Sequence, residues 1–163
     1  MSVPVFVLRP EPGLSATMER GRAMGLAMEA MPLSAAEPVA WQMPKGSFDG
    51  ILLGSANGLR HAGDALASIG PLPVYSVGQA TADEARARGL PVAMTGTGGL
   101  QGLLDALPAD RALSLLRLAG EEHLPLTAPE HVSIETVTVY AIAHRPLGQS
   151  DVEKLSGGGV VLL

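Results

Sequence analysis

Short apolar runs that alternate with amphipathic segments constrain the fold of this chain more than any other feature. The runs Val3–Leu8, Gly50–Leu53, Pro73–Val77 and Pro91–Met94 each have the length and apolar content of a buried strand. Apolar residues at helical spacing follow most of them, as in Gly58–Ile69. Strands that alternate with helices are typical of parallel βαβ units. The sequence therefore predicts an α/β protein built on parallel sheet.

The distribution of these runs along the chain predicts two domains. Residues 38–148 hold their own series of strands and helices, whereas 1–37 is too short to bury a core alone. Because 149–163 predicts one more helix and strand, we expect both ends to form one discontinuous α/β domain, with the middle inserted in it. Proline-containing segments near 38–45 and 144–149 then serve as linkers. The chain stops inside its last apolar run, so we expect the first domain to be incomplete at its C-terminus.

Three local assignments follow from the same patterns. Helical spacing predicts one helix over Ser15–Met28, with its methionines as flexible core filler. It also predicts one continuous helix over Gly58–Ile69. A further strand is expected within Leu33–Met43, around Val39–Trp41.

Composition excludes several classes of protein. The net charge is −5 and the basic residues are scattered, so we expect no nucleic-acid partner, which requires a clustered cationic face. The chain has no cysteine, which excludes disulfides, iron–sulfur clusters and thiol catalysis. No apolar stretch reaches the ~20 residues of a membrane span, and a basic signal-peptide region is missing. We therefore expect a cytoplasmic protein without a membrane partner. The four histidines lack metal-site spacing, so we expect no metal.

Small polar residues follow the predicted ends of several strands. These loops are Arg9–Gly13, Gly54–Asn57, Gly78–Thr81 and Thr95–Gly99. The carboxyl ends of parallel strands meet at one edge of a sheet, where ligands bind. Unpaired amides at the starts of the following helices bind anions. Ser55, Asn57 and Thr81 are equally ordinary helix N-caps, so capping and anion binding both remain open.

Two cofactor or catalytic motifs are only partly matched. Gly96–Gly102 contains a loose glycine fingerprint, but it follows a late strand and Leu115–Leu118 offers no acidic partner, so we expect no dinucleotide cofactor. Ser55 lacks the G-x-S-x-G elbow of a hydrolase nucleophile.

Tyr140 and Arg117 each allow two interpretations. Tyr140 lies in the strand-like run Val137–Ala141, just before the return linker. It is either a strand residue with a surface hydroxyl, or a phenol that faces a cleft between domains and donates a proton to a leaving group. Arg117 lies inside an apolar run and is either a strand-end residue or a carboxylate binder.

An ordered set of short motifs resembles the uroporphyrinogen-III synthase family of the tetrapyrrole pathway. The motifs are Val7–Glu11, Asp49–Gly58, Tyr75–Ala82, Leu116–Gly120 and Val139–Tyr140. They span nearly all of the chain, and their order makes the set specific. Where many relatives carry a further basic residue after this fourth motif, the chain has Glu121-Glu122-His123, so the resemblance assigns no substrate contact to that loop.

The resemblance implies a fold and an activity. The fold is two flavodoxin-like parallel-sheet α/β domains joined by two linkers, with the second inserted in the first and the active site in the cleft. The activity is that of a cyclising lyase in heme, siroheme and cobalamin biosynthesis. It converts hydroxymethylbilane into uroporphyrinogen III with loss of water and inversion of ring D, and it needs no metal or organic cofactor. We expect a monomer.

The resemblance also implies roles for individual residues. Tyr140 is the expected proton donor to the departing hydroxyl. Side-chain contacts to substrate carboxylates are expected from Arg9, Ser55, Asn57 and Thr81, and a backbone amide contact from Gly78. The competing hypothesis is a non-catalytic, two-domain hinged module that binds a small polyanion.

Overall fold

The structure, a computed structural model, describes residues 3–163. The chain folds as two compact units. Unit 1 consists of the residues up to Ala36 together with Ile142–Leu163, and unit 2 consists of Glu37–Ala141. Within the described residues, none of the helices combines the length and the apolar character required to traverse a membrane.

The helices and strands alternate along most of the chain. In chain order they are β1 (Val5–Val7), α1 (Gly13–Ala23), β2 (Met28–Ala30), β3 (Ser34–Pro38), β4 (Gly50–Leu53), α2 (Asn57–Arg60), a 3₁₀ helix (Gly63–Ile69), β5 (Val74–Val77), α3 (Gln79–Ala87), β6 (Val92–Gly96), α4 (Gly99–Asp105), β7 (Leu113–Gly120), β8 (Val132–His144), α5 (Gln149–Ser156) and β9 (Val160–Leu162).

Unit 1 contains a three-stranded parallel sheet in the order β2-β1-β9. Val7 of β1 is fully buried and packs against Leu14 and Met18 of α1, which explains the apolar spacing on one face of that helix. The predicted helix over Ser15–Met28 is wrong at its C-terminal end. Helix α1 ends at Ala23, and Met28 begins β2, where it pairs with Val5.

The strand predicted around Val39–Trp41 lies earlier in the chain, at β3. The side chains of Val39 and Trp41 favour strands, but tertiary packing outweighs this preference here. The indole nitrogen of Trp41 donates a hydrogen bond of 2.8 Å to the carbonyl of Ala62, and the ring packs against the core of unit 2.

Parallel strands form the centre of unit 2, which confirms the predicted α/β fold. The sheet has the order β3-β8-β7-β4-β5-β6, and the pairs from β8 to β6 are all parallel. Alternate residues of each strand face opposite sides. Ile51 and Leu53 of β4 pack beneath α2 and α3, whereas Leu52 packs against α4. Burial on both faces accounts for the uninterrupted apolar run of β4.

The strand order of unit 2 reverses between β4 and β7. Strand β4, the first of the mutually parallel strands, lies between β5 and β7, the second and fourth. In a flavodoxin-like sheet the first strand lies between the second and third, so the flavodoxin-like detail of the prediction is not confirmed. The reversal point matters because ligands of open α/β sheets bind beyond the carboxyl ends of the strands at such a point.

The segment predicted as one helix over Gly58–Ile69 is divided in the structure. Helix α2 ends at Arg60, and a 3₁₀ helix begins at Gly63, whose φ of 63° lies outside the right-handed helical region. Leu59 and Ala62 remain in the core. The apolar spacing therefore predicted the buried side correctly and missed the break.

Candidate active site

A cavity of about 420 Å³ lies at the carboxyl edge of the sheet in unit 2. Its lining comes from the end of β4 (Gly54, Ser55), Val77, the start of α4 (Gly98–Gln101), the end of β7 (Arg117–Gly120), the loop Glu122–Leu126 and Tyr140 of β8. The cavity adjoins β4 and β7, where the strand order reverses. Its volume is in the range of small-molecule sites.

Tyr140 borders this cavity because of an irregularity in β8. Ala119 pairs with Thr138, but Gly120 pairs with Tyr140, so one extra residue is accommodated in β8 at this point. A Cβ at position 120 would lie 2.7 Å from Cζ of Tyr140 and 3.0 Å from its hydroxyl oxygen. The ring therefore covers the backbone of Gly120. Among the described residues, none forms a hydrogen bond with the Tyr140 hydroxyl, which leaves its proton available to a ligand.

His61 packs beside Tyr140. The two ring centroids are 5.9 Å apart, with an angle of 36° between the ring planes. Burial and, to a smaller extent, the positive charge of Arg60 hold the pKa of His61 below its ordinary value. This shift favours the uncharged imidazole, which packs against the Tyr140 ring.

Arg117 provides a positive charge in the same cavity. Its side chain is buried on β7, with 6% of the residue exposed, and its Nη2 donates a hydrogen bond of 3.0 Å to the carbonyl of Leu124. Burial lowers the pKa of Arg117, and the nearby Tyr140 partly opposes this effect. The one sequence signal for this residue is a lone arginine in the middle of the apolar run of β7.

Ser55 lies at the cavity, whereas Asn57 does not. The Ser55 hydroxyl accepts a hydrogen bond of 3.2 Å from the backbone amide of Asn57, at the start of α2. Ser55 thus stabilises the turn into α2 and also borders the cavity. Asn57 is half-buried and lies outside the cavity lining.

Gly78 and Thr81 also lie outside the cavity lining. Gly78 takes a φ of 77°, which favours glycine, and its amide donates a hydrogen bond of 2.9 Å to the carbonyl of Gly96. The sequence predicts that this amide binds the substrate, but in the structure the amide is engaged by Gly96. The bond forms because β6 extends to Gly96, opposite the end of β5. Thr81 is 5% exposed and packs inside the first turn of α3.

Arg9 belongs to unit 1, where it lines a cavity of about 280 Å³ together with Thr17 and Arg20. Its guanidinium donates hydrogen bonds to the hydroxyl of Thr17 at 3.2 Å and to the carbonyl of Leu163 at 3.3 Å. The structure therefore brings Ser55 and Tyr140 to one cavity and places Arg9 at another. Within residues 3–163, the acidic and histidine side chains form no group of three or more that would hold a metal ion.

A parallel α/β sheet with a phenol and a buried guanidinium in a cavity at its carboxyl edge defines an α/β protein suited to a small anionic ligand. The family model described as "Uroporphyrinogen-III synthase HemD" matches residues 15–156, which is most of the chain. The chain belongs to the uroporphyrinogen-III synthase family, whose activity is that of a cyclising lyase of porphyrin and heme biosynthesis. This result confirms the family and enzyme class predicted from the sequence, and nothing in the comparisons supports the non-catalytic alternative.

Solved structures share the fold of this chain. Uroporphyrinogen-III synthetase from Helicobacter pylori is 18% identical, with a TM-score of 0.60, over 95% of this chain and 68% of that one. A mutant uroporphyrinogen III synthase from Thermus thermophilus is 20% identical, with a TM-score of 0.59, over 98% of this chain and 70% of that one. At these identities the likeness shows the α/β fold. The curated proteins contained no match.

Proposed function

We propose that this chain converts hydroxymethylbilane into uroporphyrinogen III, with Tyr140 as the proton donor to the leaving hydroxyl. The observation that carries the proposal is the position of Tyr140. Its hydroxyl has no hydrogen-bond partner among the described residues and borders a cavity of ligand size in a member of this family. The reaction expels one water, inverts ring D through a spiro intermediate and closes the macrocycle.

Tyr140 supplies general-acid help in the first step. The bond between the terminal carbon and the hydroxyl breaks, and the hydroxyl leaves as water with the proton of Tyr140. A phenolic O–H is a hydrogen-bond donor and can pass its proton to the leaving oxygen. The net reaction expels only water, so the substrate returns a proton to Tyr140 before the next turnover.

The rest of catalysis is positioning. The linear substrate closes unaided to the wrong isomer, so the protein must hold ring D in the geometry in which inversion precedes closure. Acetate and propionate groups on each ring offer many handles for amides, hydroxyls and a guanidinium. Ser55 is the best supported of these contacts because it lines the cavity. Arg9, Asn57, Thr81 and the turn at Gly78 remain proposed contacts from outside that lining.

The domain organisation belongs to the same proposal. Residues 1–37 and 149–163 form one α/β domain, and 38–148, with its linkers, form a second domain inserted in the first. The division of the chain into units at Ala36 and Ile142 supports a discontinuous first domain, although the chain re-enters it at Ile142 rather than at 149. We further propose that the protein acts as a monomer in the cytoplasm. We also propose that it has no nucleic-acid partner, since its net charge is −5 and its basic residues are scattered.

Isomer analysis of the product tests the function. The protein is incubated with hydroxymethylbilane, and the products are oxidised to uroporphyrins and separated by chromatography. Heat-inactivated protein serves as the control and gives the type I isomer of unaided closure. Type III in excess of the control is the expected result. Type I alone in both reactions would overturn the proposed function.

A further inference from the structure

Arg117 is a buried charge without a carboxylate partner. The residue is only 6% exposed, and buried arginines in proteins are almost always paired. The ion pairs among the described residues are Arg60–Glu84, Arg86–Asp83, Arg88–Glu84 and Lys154–Glu29. None of them includes Arg117. Within residues 3–163, no carboxylate therefore neutralises its charge.

The unused donors of Arg117 open onto the cavity. A guanidinium has five N–H donors, and within residues 3–163 Arg117 uses one, to the carbonyl of Leu124. Its other nitrogens are not among the buried polar atoms that lack a partner; those atoms are Arg60 Nη1, Ser76 Oγ and His131 Nε2. The remaining nitrogens of Arg117 must therefore border open space. That space is the cavity that Arg117 and Tyr140 both line.

The surroundings of Arg117 suit a carboxylate on a short apolar arm. Val77, Leu118 and Leu126 line the same cavity and offer apolar surface to methylene groups. A guanidinium holds a carboxylate through two parallel hydrogen bonds, which fixes direction as well as distance. Glu122 also lines the cavity, but it is exposed and forms no ion pair with Arg117. The entering carboxylate therefore meets an unneutralised partner.

We propose that Arg117 binds an acetate or propionate side chain of the substrate and thereby determines which part of the substrate lies at Tyr140. This inference rests on the proposed function, and it assigns a specificity-determining contact beyond the proton donor. Arg117 lies at the strand-order reversal, in the same cavity as Tyr140. A carboxylate bound to Arg117 limits the positions that the hydroxymethyl end of the flexible tetrapyrrole can take.

Two substitutions test this contact. Arg117→Met removes the charge and keeps an apolar side chain of similar length, and Arg117→Lys keeps the charge but loses the paired hydrogen bonds. Arg111→Met is the control, because Arg111 is exposed and lies outside the cavity lining. The measurements are KM and kcat with hydroxymethylbilane, the isomer ratio of the product, and the affinity for uroporphyrin III by fluorescence quenching.

We expect Arg117→Met to raise KM and weaken uroporphyrin binding by about tenfold or more, since charge-assisted hydrogen bonds to a carboxylate are lost. The share of type III product should fall, with an intermediate value for Arg117→Lys. The melting temperature of Arg117→Met should stay level or rise, because an unpaired buried charge is removed. If Arg117→Met fails to fold, Arg117→Lys alone carries the test.

The two proposals fail separately. If the wild-type protein makes type III product but Arg117→Met and Arg117→Lys match Arg111→Met within about twofold in KM, affinity and isomer ratio, the Arg117 contact is overturned and the function stands. If the wild-type protein makes only type I, the proposed function falls. In that case, uroporphyrin binding still tests whether Arg117 binds a carboxylate. Equal affinity of the wild type and Arg117→Met for uroporphyrin III overturns that contact.

Discussion

The ring of Tyr140 lies over the α-carbon of Gly120, so close that any side chain at position 120 would meet it. A Cβ there would lie 2.7 Å from Cζ and 2.8 Å from Cε2 of the ring, below normal contact distances. The irregular pairing at the end of β8 places the two residues side by side. The absence of a side chain at Gly120 therefore leaves room for the ring of the proposed proton donor.

Gly120→Ala should lower kcat with hydroxymethylbilane by about tenfold or more, since misplacing a reacting group by about 1 Å has effects of this size or larger. The atoms that must move belong to the outer end of the Tyr140 side chain and not to the backbone, so we expect only a modest fall in the melting temperature. Kinetic assay and thermal unfolding measure the two effects.

Gly102→Ala is the matched control for this substitution. Position 102 lies in α4, outside the cavity lining, and a Cβ there meets nothing within 4 Å. We expect unchanged kinetics and a stability gain of about 0.5–1 kcal/mol from the helix. Normal turnover by Gly120→Ala would show that the ring position is not critical.

Tyr140→Phe should lower kcat severalfold or more while the protein stays folded. The hydroxyl forms no hydrogen bond with the described residues, so its removal costs the fold little, whereas general-acid help from a positioned side chain contributes about a hundredfold or more. Tyr75→Phe is the control, because Tyr75 is buried in the core of unit 2 and lies outside the cavity lining. Equal kinetics of both variants would remove the proton-donor role.

Periodicity predicted those parts of the fold that depend on burial alone. The four apolar residues of β4 are buried on both sides of the sheet, so their identity is enough to indicate a central strand. Val39–Trp41 misled the prediction because the Trp41 indole is used for packing and a hydrogen bond to Ala62. Strand propensity does not contain that tertiary contact.

The candidate site was less accessible from the sequence. Ser55 was predicted because small polar residues after a buried strand indicate the carboxyl edge of a sheet. The amide of Gly78 was assigned to a ligand, yet it pairs with Gly96, and only the register of β5 and β6 shows this. The burial of Arg117 without a carboxylate partner likewise depends on distant segments, which no local pattern contains.

Ser55→Ala and Asn57→Ala should differ in their effect on KM. Ser55 lines the cavity, so its loss should raise KM severalfold, with a stability cost of about 1 kcal/mol from the lost hydrogen bond to the Asn57 amide. Asn57 lies outside the lining, so Asn57→Ala should raise KM less than Ser55→Ala does. Steady-state kinetics of both variants measure the difference. A larger KM effect from Asn57→Ala would move the substrate contact to that side of the turn.

Glu84 links α2 to α3 and should make stability depend on pH. One of its oxygens lies 2.9 Å from Nη2 of Arg60, and the other lies 2.9 Å from Nε of Arg88. Burial alone raises the pKa of Glu84, but the bonds and charges of Arg88 and Arg60 together outweigh burial, so this pKa lies below its ordinary value of 4.5. The folded protein thus favours the ionised carboxylate.

Glu84→Gln should therefore lower the free energy of unfolding by about 1 kcal/mol above pH 4.5, where the unfolded carboxylate is also ionised. The difference from wild type should shrink as pH falls through the lowered pKa of the folded state, because the native carboxylate is then protonated. Urea unfolding at a series of pH values measures this, with the exposed Glu19→Gln as control. A difference that persists undiminished at low pH would mean that packing, rather than charge, accounts for the contribution of Glu84.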